Sequence, residues 1–253
     1  MKVNRTAKRT IEILELIATS TEDLTLNDIA TKLEMPKTSA FDILETLVEL
    51  NMLYIKEHRL KTYAIGVKAY AIGNTYSKTS LLLNSAAPIL KEISQQTGLT
   101  AFICKENNGR IIYTLKSEPI KRILATPEIG DQGYLHSTAI GKAILAFSPK
   151  QEDLLSKLDL VALTPRTITT KVALKNELMS IKAQGYSMCD RENEEHTAAI
   201  AAPILDYNGI VSSAIGAVGL YKDDYHYERD IMLIKEAAYK ISRSLGYVGP
   251  ANF

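Results

Sequence analysis

The densest run of residues able to ligate a metal or move a proton is Cys189-Asp190-Arg191-Glu192-Asn193-Glu194-Glu195-His196. Thiolate, carboxylate and imidazole are all metal donors, and Glu192 and His196 would share one face of a helix. Their spacing matches no zinc pattern, so the competing reading is a solvated acidic loop ahead of a buried strand. Gly141-Lys142 would suit a phosphate-cradling loop only with glycine at 136 and serine or threonine at 143. The chain has His136 and Ala143 there, which excludes that chemistry. Gly216-Ala217-Val218-Gly219 lacks the glycine spacing of a dinucleotide site, and no G-x-S-x-G, H-E-x-x-H or C-x-x-C occurs. No base or orienting acid can be placed beside His136, which reads as a hydrogen-bonded structural histidine. Catalytic residues and cofactors are therefore not expected.

The chain that must position these groups has 253 residues, enough for a small domain plus a larger one. Hydrophobic residues make up 46% and charged residues 23%, and 30 bases nearly balance 29 acids. That balance excludes a polybasic tail and a charged disordered chain, and it allows a sizeable core. Cys104 and Cys189 are too few for a disulfide framework, which points to a reducing cytoplasm. No apolar run approaches the ~18–20 residues of a membrane span, and Met1 to Thr6 has no apolar stretch of a secretory signal.

The first sixty residues read as a compact helical module. Thr6 can cap a helix with the apolar stripe Ala7, Ile11, Leu14 and Ile17 or Ala18. Thr25 and Asp28 have the spacing of a capping box ahead of a short second helix ending near Glu34, because Met35 precedes a proline. Pro36 suits the opening turn of a third helix with the core stripe Ala40, Ile43, Leu44, Leu47 and Val48. Two β-prone runs, 52–56 and 60–65, flank the charged tip Glu57-His58-Arg59. This is the outline of a winged helix-turn-helix, and the alternative is a helical bundle that only mediates assembly. Residues 1–62 hold nine bases and ten acids, so the module is net −1. Its bases nevertheless concentrate at the first nine residues, at Lys37 and around the wing tip, where phosphates would be met. The expected contacts to double-stranded operator DNA are Arg5, Thr25, Lys37, Thr38, Ser39, Phe41, Asp42, Arg59 and Lys61. Asp42 could accept from a cytosine amino group and Phe41 could touch a thymine methyl.

Residues 66 to about 80 read as a connecting helix, either a solvated spacer or the seam of a dimer. A further helix runs from Leu83 to Thr97 with Ile89, Leu90 and Ile93 inward. Beyond it, Asn107-Asn108-Gly109 and Asn208-Gly209 each sit between β-prone runs as hairpin turns. Helices are expected at about 138–147, 171–184 and 224–245. Strand pairs and helices in this order argue an α+β domain on an antiparallel sheet.

Three segments make the chain resemble the IclR-type bacterial transcription regulators over nearly its whole length. They are Leu135 to Ala146, Gly185-Tyr186 through Glu192-Asn193-Glu194 to Ile200-Ala201-Ala202-Pro203, and Arg243-Ser244-Leu245-Gly246-Tyr247. The resemblance implies a winged helix-turn-helix over 1–65, a linker helix over 66–82 and a GAF-like effector-binding domain over 83–253. It also implies a homodimer or homotetramer, and a small metabolite bound at the loop opening the Thr138-Ala139-Ile140-Gly141-Lys142 helix. A helix N-terminus favours anions, so a small organic acid is the expected effector. The expected effector residues are Ala139, Ile140, Gly141, Cys189, Asp190, Glu192, Ala199, Gly216 and Val218. Where relatives can carry serine on the inner strand this chain has Gly216 and Val218, which predicts fewer polar anchors and more room. The runner-up is a metabolite- or metal-binding, enzyme-like protein using the loop from Cys189 to His196.

Overall fold

The computed structural model describes residues 3–121, 126–223 and 227–251. The chain divides after Thr79 into two units.

The first unit runs α1 (Arg5–Thr19), β1 (Leu24–Thr25), α2 (Leu26–Lys32), α3 (Lys37–Glu49), β2 (Leu53–Glu57), β3 (Thr62–Ile65) and α4 (Val67–Thr79). Asn4, not Thr6, caps α1: its side chain accepts from the Ala7 N–H at 3.0 Å. The buried stripe of α1 is likewise shifted to Ile13 and Ile17, and Ile11 is exposed. Five apolar residues between 11 and 17 allow more than one stripe, and packing against α3 and the wing selects between them. In α3 the expected stripe is the observed one, with Ala40, Ile43, Leu44 and Leu47 buried. Pro36 stands just before the helix, which opens at Lys37. The three strands form a small antiparallel sheet in the order β1-β3-β2. Helix α4 has no buried residue, and Val67, Tyr70, Ile72 and Tyr76 are exposed.

The second unit opens with α5 (Leu81–Thr97), followed by β4 (Thr100–Asn107), β5 (Arg110–Ser117) and β6 (Gln132–Tyr134). Next come α6 (Ala139–Phe147), α7 (Gln151–Lys157), α8 (Lys171–Gln184) and β7 (Ser187–Asp190). The chain then forms β8 (Thr197–Leu205), β9 (Val211–Leu220) and α9 (Glu228–Ser244). All six strands pair antiparallel in the order β6-β5-β4-β9-β8-β7. Side chains on a strand alternate between faces, so each central strand feeds two cores. Ala101 and Ile103 of β4 pack with α5 and α9, whereas Phe102 and Cys104 face α6. Helices thus cover both faces of the sheet, and the fold is α+β. Glycines in the left-handed region stop α5 at Gly98 (φ 70°) and α8 at Gly185 (φ 80°). Residues 224–226, at the start of the last expected helix, lie outside the described residues; α9 itself begins at Glu228. Among the described residues, no helix is long and apolar enough to cross a membrane.

Candidate nucleic-acid interface and effector cavity

In the first unit the third helix presents Lys37, Thr38, Phe41 and Asp42 to solvent, and Arg5, Arg59 and Lys61 are also exposed. Ser39 is half-buried because Arg9 of α1 reaches it, donating from Nη1 to Ser39 Oγ at 3.2 Å. Thr25 has a different task. Its hydroxyl donates to Asp28 Oδ2 at 2.6 Å and accepts from the Asp28 N–H at 3.3 Å, while Asp28 Oδ2 also accepts from the Thr25 N–H. These bonds hold the Asp28 carboxyl below its usual pKa and fix the entry of α2 into the helix-turn-helix. The wing tip is tied by Glu57, whose carboxylate accepts from the backbone N–H groups of Arg59 and Leu60. Lys61 follows with a positive φ of 50°, so the tip carries its two bases on a constrained turn. Lys56, on β2, is instead engaged by Asp23 at 2.5 Å, which raises its pKa.

In the second unit a cavity of about 60 Å³ lies between the start of α6, the sheet and the loop after β7. At ~10–15 Å³ for each water-sized group, that is room for about four to six such groups. Six of the expected effector residues line it: Ala139, Ile140, Cys189, Ala199, Gly216 and Val218. Phe102, Tyr113 and Thr126 also line it and carry no signal in the sequence; Asn193 and Glu194, from the polar run between Cys189 and His196, line it as well. Phe102 and Tyr113 come from strands distant along the chain from α6, and the pairing of β4 with β5 brings them together. Phe102 on β4 and Tyr113 on β5 meet edge to face at 4.9 Å. Among the described residues, no lysine or arginine lines the cavity.

Three expected effector residues lie elsewhere. Gly141 serves close packing: a Cβ there would stand 2.6 Å from Leu135 Cα, Thr138 Oγ1 and the Tyr134 carbonyl oxygen. Asp190 is half-buried and pairs with Arg166 at 2.6 Å and Arg191 at 2.8 Å. Glu192 turns away from the cavity to Lys142 Nζ, 2.6 Å away. Lys142 is fully buried and also donates to Glu177 of α8 at 2.9 Å. Burial pulls the Lys142 pKa down, but Glu192 and Glu177 outweigh it, so the ammonium stays protonated. Burial pushes the Glu192 carboxyl up, against the pull of Lys142.

Gly216 does not create the extra room its missing side chain predicts. Ile140 fills that space, with its Cγ1 only 2.5 Å from where a Cβ would sit. The polar groups at the cavity's end are set by α6. Thr138 caps it, accepting from the Gly141 N–H at 3.0 Å, so the first-turn amides of Ala139 and Ile140 have no partner within the helix. Thr126 Oγ1 is buried with no hydrogen-bond partner among the described residues. Cys189 donates to the Ser137 carbonyl at 3.1 Å, and burial lifts its thiol pKa to about 11. It is a packed thiol, not a poised nucleophile.

The donors of the run from Cys189 to His196 are thus dispersed: Cys189 toward Ser137, Asp190 toward two arginines, Glu192 into the core, His196 exposed. Among the described residues, no cluster of three or more His, Cys, Asp or Glu is arranged to hold a metal ion. His136 is buried, with Nε2 at 3.0 Å from the Val161 carbonyl and Nδ1 lacking a partner among the described residues.

The chain matches two family models: the bacterial transcriptional regulator IclR C-terminal domain over residues 74–243, and the IclR helix-turn-helix domain over residues 6–55. It is 30% identical over 217 residues to the HTH-type transcriptional regulator BhcR of Paracoccus denitrificans, covering 85% of this chain and 77% of that one. The crystal structure of the Thermotoga maritima IclR superposes with a TM-score of 0.70 at 30% identity, over 96% and 99% of the two chains. An IclR homolog from Microbacterium hydrocarbonoxydans, complexed with 4-hydroxybenzoate, shares the fold with a TM-score of 0.79 at 20% identity. The match covers 95% of this chain and 98% of that homolog. With a reading head formed by α2 and α3, a wing following it and a cavity in the second unit, this chain belongs to the IclR family of DNA-binding transcriptional regulators.

Proposed function

We propose that the chain is a repressor whose operator affinity changes when a small organic acid enters the cavity at the start of α6. The observation that carries this reading is the cavity itself, lined by apolar side chains with a few polar groups among them and bounded by Ala139 and Ile140, whose first-turn amides have no partner within α6. With no cationic side chain on the wall among the described residues, a carboxylate is held by oriented N–H groups and the helix dipole. The complex of the Microbacterium homolog with 4-hydroxybenzoate supports an acid ligand. On the DNA side, Lys37 and Thr38 at the start of α3, with Arg5, Arg59 and Lys61, contact phosphates, and Asp42 and Phe41 meet base edges. Ser39 acts with Arg9 at the same helix end, and Thr25 supports the motif through its cap. The regulator works by binding, not by turnover, in the cytoplasm, and as a homodimer or homotetramer. The uncovered apolar residues of α4 supply the surface for that assembly. In this reading the domains divide as 1–65, 66–82 and 83–253.

A thermal-shift panel of acetate, pyruvate, benzoate and 4-hydroxybenzoate, with neutral benzyl alcohol as control, tests the effector class. A ligand at 100 times its Kd stabilises by about 2.7 kcal/mol, several degrees for a domain of this size. A shift with the alcohol and none with any acid overturns the acid assignment. Gel-shift titration of DNA upstream of the protein's own gene, with and without the stabilising acid, tests the regulatory step.

A further inference from the structure

The loop between β7 and β8 forms one side of the cavity through Asn193 and Glu194, yet its backbone is unfavourable on its own. Arg191 sits in the left-handed region at φ 60°, a conformation that side-chain-bearing residues adopt only when their surroundings impose it. Thr164 and Thr167 hydroxyls donate to the carbonyls of Arg191 and Glu192, at 2.7 and 2.6 Å, but both threonines belong to an irregular segment themselves. Ser137 donates to Asn193 Oδ1 at 2.9 Å from the turn that precedes α6. Among the described residues, the one ionic tie from the loop to a helix of the cavity wall is Glu192 to Lys142, in the turn of α6 that follows Ala139. Lys142 extends the same tie to α8 through Glu177.

We infer that Lys142 and Glu192 are positioning residues for effector recognition: their buried ion pair latches the 191–196 loop to α6 and so sets Asn193 and Glu194 against the cavity. The inference rests on the reading of that cavity as the effector site. Neither residue touches the effector. The geometry also explains why Glu192 looks like a ligand in sequence, standing beside two residues that do line the cavity.

Cys189 gives a local readout, because it lines the cavity beneath the loop, whereas Cys104 is fully buried in the sheet. The full chain, with no effector added, is treated with iodoacetamide, and each cysteine's labelling is followed by peptide mass spectrometry. Lys142→Met combined with Glu192→Gln removes both charges together, so the opposing influences of the two groups on the Cys189 thiol are lost as a pair. The double variant is expected to label at Cys189 at least tenfold faster than wild type, with Cys104 unchanged. Glu192→Gln alone retains an oxygen for Lys142 and is expected to accelerate Cys189 labelling about threefold, which keeps the test open if the double variant does not fold. Equal acceleration at both cysteines, or none at Cys189, overturns the latch: the first makes the pair a general element of stability, the second shows the loop held without it. Because no effector is present, an acid panel without a hit leaves this result standing.

Discussion

Gly141→Ala sets two physical effects against each other, and the structure decides between them. Alanine is the better helix former, by up to about 1 kcal/mol over glycine inside a helix. Gly141 is helical, so propensity alone predicts a more stable protein. The added Cβ, however, would stand 2.6 Å from Leu135 Cα, the Tyr134 carbonyl oxygen and Thr138 Oγ1. Carbon atoms in good contact are about 3.5–4.0 Å apart, so the intrusion is roughly 1 Å. Two of the three neighbours are backbone and cannot turn aside. The third is the capping hydroxyl, which donates to Tyr134 O at 2.7 Å and accepts from Gly141 N at 3.0 Å. Overpacking costs about 1–3 kcal/mol and a lost threonine cap about 1 kcal/mol, so a net loss of roughly 1–3 kcal/mol is expected after the propensity gain. Gly73→Ala in α4 is the control, because its Cβ would meet nothing within 4 Å. There the propensity gain of about 0.5–1 kcal/mol should stand alone. Urea titrations read by peptide-resolved hydrogen exchange assign each change to its own unit. A Gly141→Ala protein as stable as wild type would refute the steric argument. A destabilised one with normal exchange at 138–142 would refute its location.

Other outcomes follow from the same structure. Lys142→Met strands Glu192 and Glu177 beside a buried apolar group, and breaking such a pair costs about 3–5 kcal/mol. The Glu192 carboxyl, already raised by burial, rises further without the lysine. A folded-state pKa above the unfolded one stabilises at low pH and loses that stability as pH rises. The deficit measured by urea midpoints should therefore be smaller near pH 5 than at pH 8; a larger deficit at pH 5 contradicts the assignment. Lys37→Ala should weaken operator binding alike on all sequences and reduce the salt slope by about 1, as expected of one phosphate contact. An unchanged slope in salt-titrated binding removes Lys37 from the interface. Asp42→Ala should relax preference at one base pair by about 1–3 kcal/mol, read from a panel of singly substituted operators. Uniform loss across the panel would instead make Asp42 a structural residue.

The sequence reveals the reading head because helical periodicity is local. Ala40, Ile43, Leu44 and Leu47 recur at three and four residues, and all four are buried in α3. The helix over 171–184 is equally legible, bounded by the Thr170 cap and the left-handed Gly185. Helix α1 is less so, since Ile11, Ile13, Leu14 and Ile17 admit two stripes and both Asn4 and Thr6 are competent caps. At the cavity, single strand positions such as Ala199, Gly216 and Val218 are where the sequence motifs indicate. Phe102 and Tyr113 are hidden because their approach depends on the β4–β5 register, which shifts between Ile103 and Cys104. Glu192 illustrates a different obstacle: its neighbours along the loop point one way and its own side chain another, toward a lysine 50 residues earlier.

Helix α4 takes no order from a core of its own, and a 13-residue helix alone in water is marginal. Its apolar residues can therefore be made polar without a measurable change in how firmly either unit folds. Val67, Tyr70 and Ile72 form a stretch where mutation is silent to a denaturation curve yet, in the proposed assembly, audible in anything that depends on subunits meeting. A screen that ranks variants by melting temperature would pass over the very positions proposed above as the seam between subunits.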